Sequence, residues 1–410
     1  MKALVLSGGK GADMSPLSDG IPKTMIKLHG KPIIQYALEG IQALGINEIT
    51  VVVGYEKDKT IEFISTYQFP NLEIDYIEQS PPFDSVEAAL LTALENLLGE
   101  EHFLLVYGDI VAPPDFYRHL FKSFNNTKAN ATLCATLKGK TADFGVIQIN
   151  SEGLISKIVE RPSEKERTDL GNYIFAGAAI LPITILKDLE SGKAFPSTIN
   201  KFLKEDKGHI SAAIWDKGWV DVGVPWDLLH ANKIAFKNVN HSQIASTAKI
   251  SSSSIIEGLV IIEDNAVIDH NVVLKGPVYI GKNSYIGTNS LLRENTSIED
   301  NVTIGYSVEI KNSIIEPYST VGRTSFIGDS IIGTGTDIRS MVTFQNELLG
   351  KRIKRGPIEI RGTIYTKLGA VIGNNTDIGP NTVIYPAEIV GSNQTIKAGS
   401  IIDRKIQKNK

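Results

Sequence analysis

The chain changes its hydrophobic rhythm once, near residue 240, and two architectures follow from that change. Before it, short apolar runs alternate with amphipathic stretches of helical period. The runs predict strands over 2–6, 48–54, 75–77, 103–107, 131–137, 144–149 and 175–181, and the stretches between them predict helices over 33–44, 85–98 and 114–124. Strands alternating with helices define a doubly wound, Rossmann-like α/β domain whose mostly parallel sheet is covered on both faces. After the change the period is six. Ile244, Ile250, Ile256, Ile262, Ile268, Leu274, Ile280, Ile286, Leu292, Ile298, Ile304 and Ile310 are aliphatic at every sixth position. The phase slips by one through Ile315, Val321 and Ile327 and resumes at Ile372, Ile378, Ile384, Val390, Ile396 and Ile402. An ordinary β-sandwich predicts period two and variable loops. A fixed period of six, with Gly or Asn flanking many of the aliphatic positions, predicts a left-handed parallel β-helix of hexapeptide repeats that stacks its aliphatics inside a prism.

The expected domains are an α/β unit over 1–235, a linker over 236–243 and a β-helix over 244–405. An excursion at about 340–361 breaks the repeat and carries the basic run from Lys351 to Gly356, read as a solvated loop or one that reaches a neighbour. Composition narrows the function. A net charge of −4 without a long basic stripe argues against nucleic acid as the main partner. The single cysteine, Cys134, sits in the apolar run 131–137 and excludes an internal disulfide, which fits a reducing compartment. No apolar stretch is long enough for a membrane span, so a cytoplasmic, membrane-free protein is expected.

The first predicted strand empties into Ser7-Gly8-Gly9-Lys10-Gly11, a loop in which missing side chains let backbone N–H groups approach an anion. A Walker A sequence is absent, and Gly9 to Met14 lacks the third glycine of a dinucleotide fingerprint. The loop, with Ser15-Pro16-Leu17-Ser18 and Pro22-Lys23-Thr24-Met25, resembles the signature of sugar-1-phosphate nucleotidylyltransferases. Further matches to that family follow in order: Tyr107-Gly108-Asp109, Asp143 to Val146, Val159-Glu160-Arg161-Pro162, Phe175-Ala176-Gly177 and Trp219 to Pro225.

The resemblance implies that a sugar 1-phosphate oxygen attacks the α-phosphorus of a nucleoside triphosphate, giving an NDP-sugar and pyrophosphate. It implies Mg²⁺ or another divalent cation on Asp109 and Asp221, with Lys23 neutralising phosphate charge, so that Lys23, Asp109 and Asp221 form the catalytic set. It assigns the nucleotide to Leu6, Gly8, Gly9, Gly11, Gln79 and Ser85, and the sugar phosphate to Gly145, Glu160, Arg161 and Gly177. The plainer alternatives are a turn-capping role for Asp109 and a surface position for Lys23. Two departures fall at the nucleotide end: Asp13 stands where the family carries arginine, and Asp84-Ser85-Val86 replaces its G-T-A.

Bifunctional members of the group carry an acetyltransferase in the β-helix, which Ile304 to Lys311 and Gly322 to Asp329 resemble. Arg323 stands in place of the general-base histidine, and arginine accepts no proton at neutral pH. This leaves the helix as an oligomerisation scaffold, with Arg293 and Lys311 as a candidate residual anion groove. Three readings follow: a nucleotidylyltransferase, weakened by Asp13; a non-catalytic paralogue that binds a sugar nucleotide and regulates or scaffolds an active homologue; and an acyltransferase with an unrecognised base. The expected partners are the NTP and sugar 1-phosphate or NDP-sugar, further copies in a homotrimer or higher assembly, and in the second reading an active homologue in a hetero-oligomer.

Overall fold

The computed structural model describes residues 1–403 except 68, 81–84, 139–143, 164, 167–169, 190–193, 205–208, 348–357 and 362. Its α/β domain runs β1 (Ala3–Ser7), α1 (Ile33–Gln42), β2 (Glu48–Val53), α2 (Lys57–Thr66), β3 (Glu73–Glu78), α3 (Val86–Thr92), β4 (His102–Tyr107), α4 (Pro114–Asn126), β5 (Ala131–Leu137), β6 (Gly145–Ile149), β7 (Ile155–Glu160), β8 (Tyr173–Pro182), α5 (Thr184–Leu189), α6 (Phe195–Lys204), β9 (Ile210–Trp215) and α7 (Asp227–Lys237). The main sheet has the order β7-β6-β8-β4-β1-β2-β3, with β5 pairing β8 and β9. The half from β4 to β3 is parallel, whereas β8 runs antiparallel to β4, β5 and β6. The sheet is mixed but mostly parallel in direction, as expected: β7 and β8 run against its other seven strands. An apolar run specifies a buried strand but carries no sign for its direction.

Two apolar layers cover the sheet. One joins Val5, Val51 and Val106 to Leu38, Phe116 and Tyr117 of α1 and α4. The other joins Leu4, Val52 and Leu105 to Leu90, Leu186 and Ile199 of α3, α5 and α6. Cys134 is buried in the first, where loss of hydration pushes its thiol pKa up, away from thiolate chemistry.

The second domain is three parallel sheets of eight short strands each, stacked as a left-handed β-helix. Asn265, Asn283 and Asn301 hold left-handed φ values of 58° at successive corners. Their side chains bond one another, Asn265 to Asn283 at 3.3 Å and Asn283 to Asn301 at 3.2 Å. Asparagine tolerates this conformation best among residues with a Cβ, which is why it punctuates the repeat. The phase slip is absorbed at the strand level, since Ile298 still pairs with Ile315 and Ile310 with Ile327. Strand Thr343–Phe344 remains in the helix, with Phe344 buried, and Val371–Ile372 continues it. Between them, Ile358–Ile360 and Thr363–Tyr365 form an antiparallel hairpin outside the prism.

The domains share a core. Met14, Leu28, Ile33, Trp226 and Leu229 form one apolar cluster with Ile314, Ile331, Leu368 and Val371 of the β-helix. Beside it the buried Glu299 carboxylate accepts from the backbone N–H of His29 at 2.9 Å and of Gly30 at 2.7 Å. Asn374 and Ser392 donate to carbonyls of the first domain, Leu17 and Pro16, at 3.0 and 2.9 Å. This docking fixes the β-helix against the loop that follows β1. Among the described residues no helix is long and apolar enough to cross a membrane.

Candidate active site

The glycine loop is shaped by what packs behind it. Gly11 lies at φ +63°, and a Cβ there would meet Lys23 Cβ at 2.8 Å, so only glycine lets the lysine stem pass. A Cβ on Gly8 would meet Gln79 Oε1 at 2.6 Å, which places the buried Gln79 amide against the loop at the end of β3. Gln79 Nε2 donates to the Ser85 carbonyl at 3.2 Å. Ser85 caps α3, accepting from the Ala88 N–H at 3.1 Å, a local role that a serine before a helix performs by itself. Asp13 is exposed at the cavity rim in the short turn Ala12–Met14. Asp84 lies outside the described residues.

Asp109 ends the tight turn after β4, and Asp221 belongs to the two-residue strand Val220–Asp221 paired with Ile110–Val111. That pairing, together with the Val222 N–H donating to the Asp109 carbonyl at 3.0 Å, brings two carboxylates 112 positions apart in sequence to one wall. Lys23 Nζ forms an ion pair with Asp109 Oδ2. Burial disfavours the Lys23 ammonium, yet Asp109 and Asp221 outweigh it and hold its pKa above the ordinary lysine value. For Asp109 burial dominates, and with the like charge of Asp221 it raises the carboxyl pKa against the pull of Lys23.

Asp109 Oδ1 is buried and has no hydrogen-bond partner. An orphaned carboxylate oxygen beside a second carboxylate is a fitting donor for a hard divalent cation. Among the described residues no cluster of three or more His, Cys, Asp or Glu could hold a metal ion. The donor set thus suits a cation whose remaining ligands are phosphate oxygens and water.

Beyond this pair the cross-strand partners Gly145 and Glu160 face each other, and a Cβ on Gly145 would meet Glu160 Oε2 at 2.9 Å. Gly177, at φ +71°, lets Ile110 Cδ1 approach to 2.3 Å of where its Cβ would stand. Arg161 holds an unusual left-handed φ of 42° and its N–H donates to the Phe144 carbonyl at 3.3 Å. Glu160 and Arg161 are exposed at the rim.

Two adjoining cavities result. One of about 680 Å³ is walled by Leu6, Gly8, Gly9, Gly11, Lys23, Gln79, Ser85 and Asp109. The other, of about 420 Å³, is walled by Gly145, Glu160, Phe175, Gly177 and Trp219. Val86, Tyr107, Arg161 and Asp221 line both, so Asp221 stands at their junction, with Asp109 on the wall of the larger cavity.

Two residues of the site escaped the sequence reading. Arg361, at the tip of the hairpin outside the prism, sends Nη2 to Asp221 Oδ2 and Nη1 to Asp227 Oδ2, both at 2.7 Å. Asp227, buried at the start of α7, also accepts from the Gly223 and Val224 N–H groups at 3.0 Å. The detectable signal was the alternation Ile358-Glu359-Ile360 and Thr363-Ile364-Tyr365 around Arg361-Gly362, a hairpin pattern. In the β-helix, Arg293 and Lys311 are partners on adjacent strands. The Arg293 guanidinium is engaged by Glu309 at 2.8 Å and Glu294 at 2.5 Å, while Lys311 is buried. Arg323 lies over the Tyr306 ring at 5.6 Å.

A glycine loop on a Rossmann-like sheet, with a lysine and two carboxylates beside two adjoining cavities, is the arrangement that the comparisons with known proteins also meet. The chain belongs to the nucleotidyl transferase family, whose model matches residues 2–238; the model of the GMPPB C-terminal domain matches residues 274–357. It is 31% identical to the bifunctional protein GlmU of Methanocaldococcus jannaschii, over 100% of this chain and 96% of that relative. It is likewise 31% identical to a bifunctional sugar-1-phosphate nucleotidylyltransferase/acetyltransferase of Sulfurisphaera tokodaii, over 99% of this chain and 98% of the relative. In fold it is similar to a Bacillus anthracis crystal structure described as a glucose-1-phosphate thymidylyltransferase with sucrose, at a TM-score of 0.52 and 20% identity, covering 59% of this chain and 98% of that one.

Proposed function

We propose that the chain transfers a nucleotidyl group from a nucleoside triphosphate to a sugar 1-phosphate, releasing pyrophosphate. The observation that carries this reading is the Lys23–Asp109 pair beside Asp221 at the junction of the two cavities. Nucleotide in the larger cavity and sugar phosphate in the smaller would meet where these charges stand. Phosphoryl chemistry of this kind needs positioning and charge neutralisation more than covalent help. Lys23, kept protonated by its two carboxylate neighbours, would balance the charge of the attacking and transferring phosphates. Asp109 and Asp221 would hold Mg²⁺ or a similar cation, which when bound offsets the charge developing on the phosphate oxygens. The Gln79 amide against Gly8 would read the base, and Glu160 and Arg161 would take the sugar hydroxyls and phosphate.

The test is pyrophosphate release with Mg²⁺ across a full panel of NTPs and sugar 1-phosphates. Turnover with at least one pair supports the reading, and silence across the panel refutes it. A second reading, a binding paralogue that regulates an active homologue, is favoured by one observation: Asp13 sets a negative charge at the rim of the nucleotide cavity. It predicts sugar-nucleotide binding without turnover and hetero-oligomers with such a homologue by native mass measurement. The same measurement tests trimer formation through the β-helix. Acetyl transfer is not part of the proposal, because Arg323 occupies the position of the base.

A further inference from the structure

Asp221 does not stand free for a cation. The hairpin that leaves the β-helix brings Arg361 across the domain boundary, 140 positions along the chain from Asp221, and lays its guanidinium on this carboxylate. The contact is built from several sides. Nη1 also bonds Asp227 Oδ2 at 2.7 Å and reaches the Asp221 carbonyl at 3.4 Å. The guanidinium lies 4.8 Å from the Phe144 ring centroid, a cation–π distance. Gly223 leaves the room for it, since a Cβ there would sit 2.0 Å from Arg361 Nη1. The Arg361 side chain is 15% exposed, so the pair is largely shielded from water.

The two carboxylates of the site are thus each matched by a cation of the chain, Lys23 on Asp109 and Arg361 on Asp221. They differ in origin. Lys23 belongs to the short turn Lys23–Met25 of the first domain, whereas Arg361 is carried by the other domain. A divalent cation on Asp221 must compete with the Arg361 guanidinium for the same oxygen and bear its repulsion at close range.

We propose that Arg361 is a tethered counter-ion that competes with the divalent cation for Asp221, so that the β-helix domain sets the metal affinity of the nucleotidyl-transfer site. Asp227 and Phe144 keep the guanidinium at hand when the cation takes Asp221, so the exchange is local and reversible. The inference rests on the nucleotidyl-transfer reading of this site, which supplies the cation.

The test is Mn²⁺ binding to the full-length protein without nucleotide, followed by the electron paramagnetic resonance of free Mn²⁺. Arg361→Gln should bind Mn²⁺ about tenfold more tightly than the wild type, the effect of removing one charge-assisted hydrogen bond from the competing oxygen. Arg361→Lys, which keeps the charge but loses the fork, should fall between the two. Adding Asp221→Asn to Arg361→Gln should abolish the gain. Equal or weaker binding by Arg361→Gln refutes the competition while leaving the reading of the site intact. If neither the wild type nor Arg361→Gln binds Mn²⁺, with or without a non-hydrolysable nucleoside triphosphate analogue, the metal reading of the site falls and the competition falls with it.

Discussion

Reversing the charge of Asp13 should strengthen nucleotide binding, and its size can be set for a phosphate charge taken at contact distance, about 4 Å. The side chain is exposed at the rim of the larger cavity, and among the described residues none bonds its carboxylate. Substitution therefore changes the field without removing structure. An exposed carboxylate 4 Å from a phosphate charge repels it by about 1 kcal/mol in a water-like dielectric. Asp13→Asn removes that term and should lower the apparent KM for NTP about fivefold; Asp13→Arg turns it into attraction, roughly 2 kcal/mol in all, or about thirtyfold. Because the site faces water, the gain should shrink strongly as salt approaches 1 M, where the screening length falls to about 3 Å. The assay is the initial rate of pyrophosphate release against NTP concentration at low and high salt, or nucleotide binding by calorimetry if turnover is slow. Unchanged nucleotide affinity at low salt, or a gain that salt leaves intact, would refute the electrostatic argument.

Lys23→Met should cost at least about a hundredfold in turnover, since it removes the cation beside the reacting phosphates, and should leave folding of the β-helix unaffected; a variant retaining near wild-type rates of pyrophosphate release would show that Lys23 plays no part. His29, buried at the domain interface and held at 2.7 Å by Asn232, has its pKa lowered by burial to about 4 from the ordinary 6.5. The unfolded chain protonates this histidine first, so its contribution to stability is present above pH 6.5 and is lost as pH falls toward 4, about 3 kcal/mol over the window. Glu299, whose pKa burial raises to about 7, gives a slope of opposite sign above its ordinary 4.5, so the histidine effect is read as the difference between wild type and His29→Gln in melting temperature across pH 4 to 7. Parallel curves for the two proteins would remove His29 from the account.

What the sequence disclosed and what it withheld divide along a physical line. The α/β alternation and the period of six were legible because each is a local consequence of burying one side of an element. Many of the residues walling the two cavities were legible because they sit in short motifs whose order along the chain carries the family resemblance. The direction of a single strand was not, and the sheet proved mixed where β8 turns back beside β4. Nor were contacts between distant segments: the Glu299 clasp on His29 and Gly30 spans some 270 positions, and nothing local marks either end.

Arg361 is the sharpest case of that second kind. Within its own segment it is a charged residue in a stretch that breaks a repeat, and the economical reading of such a residue is a solvated surface. Its role appears only with the partner present, because a guanidinium shielded by Phe144 and held by Asp221 and Asp227 is tenable only where two carboxylates neutralise it. The dependence runs both ways. Without Arg361 or a metal ion, Asp221 and Asp109 would be two like charges on one wall with Lys23 alone to balance them. The excursion of the β-helix therefore belongs electrostatically to the first domain. Within residues 1–235 alone, Asp221 and Asp227 lack the guanidinium that pairs them both.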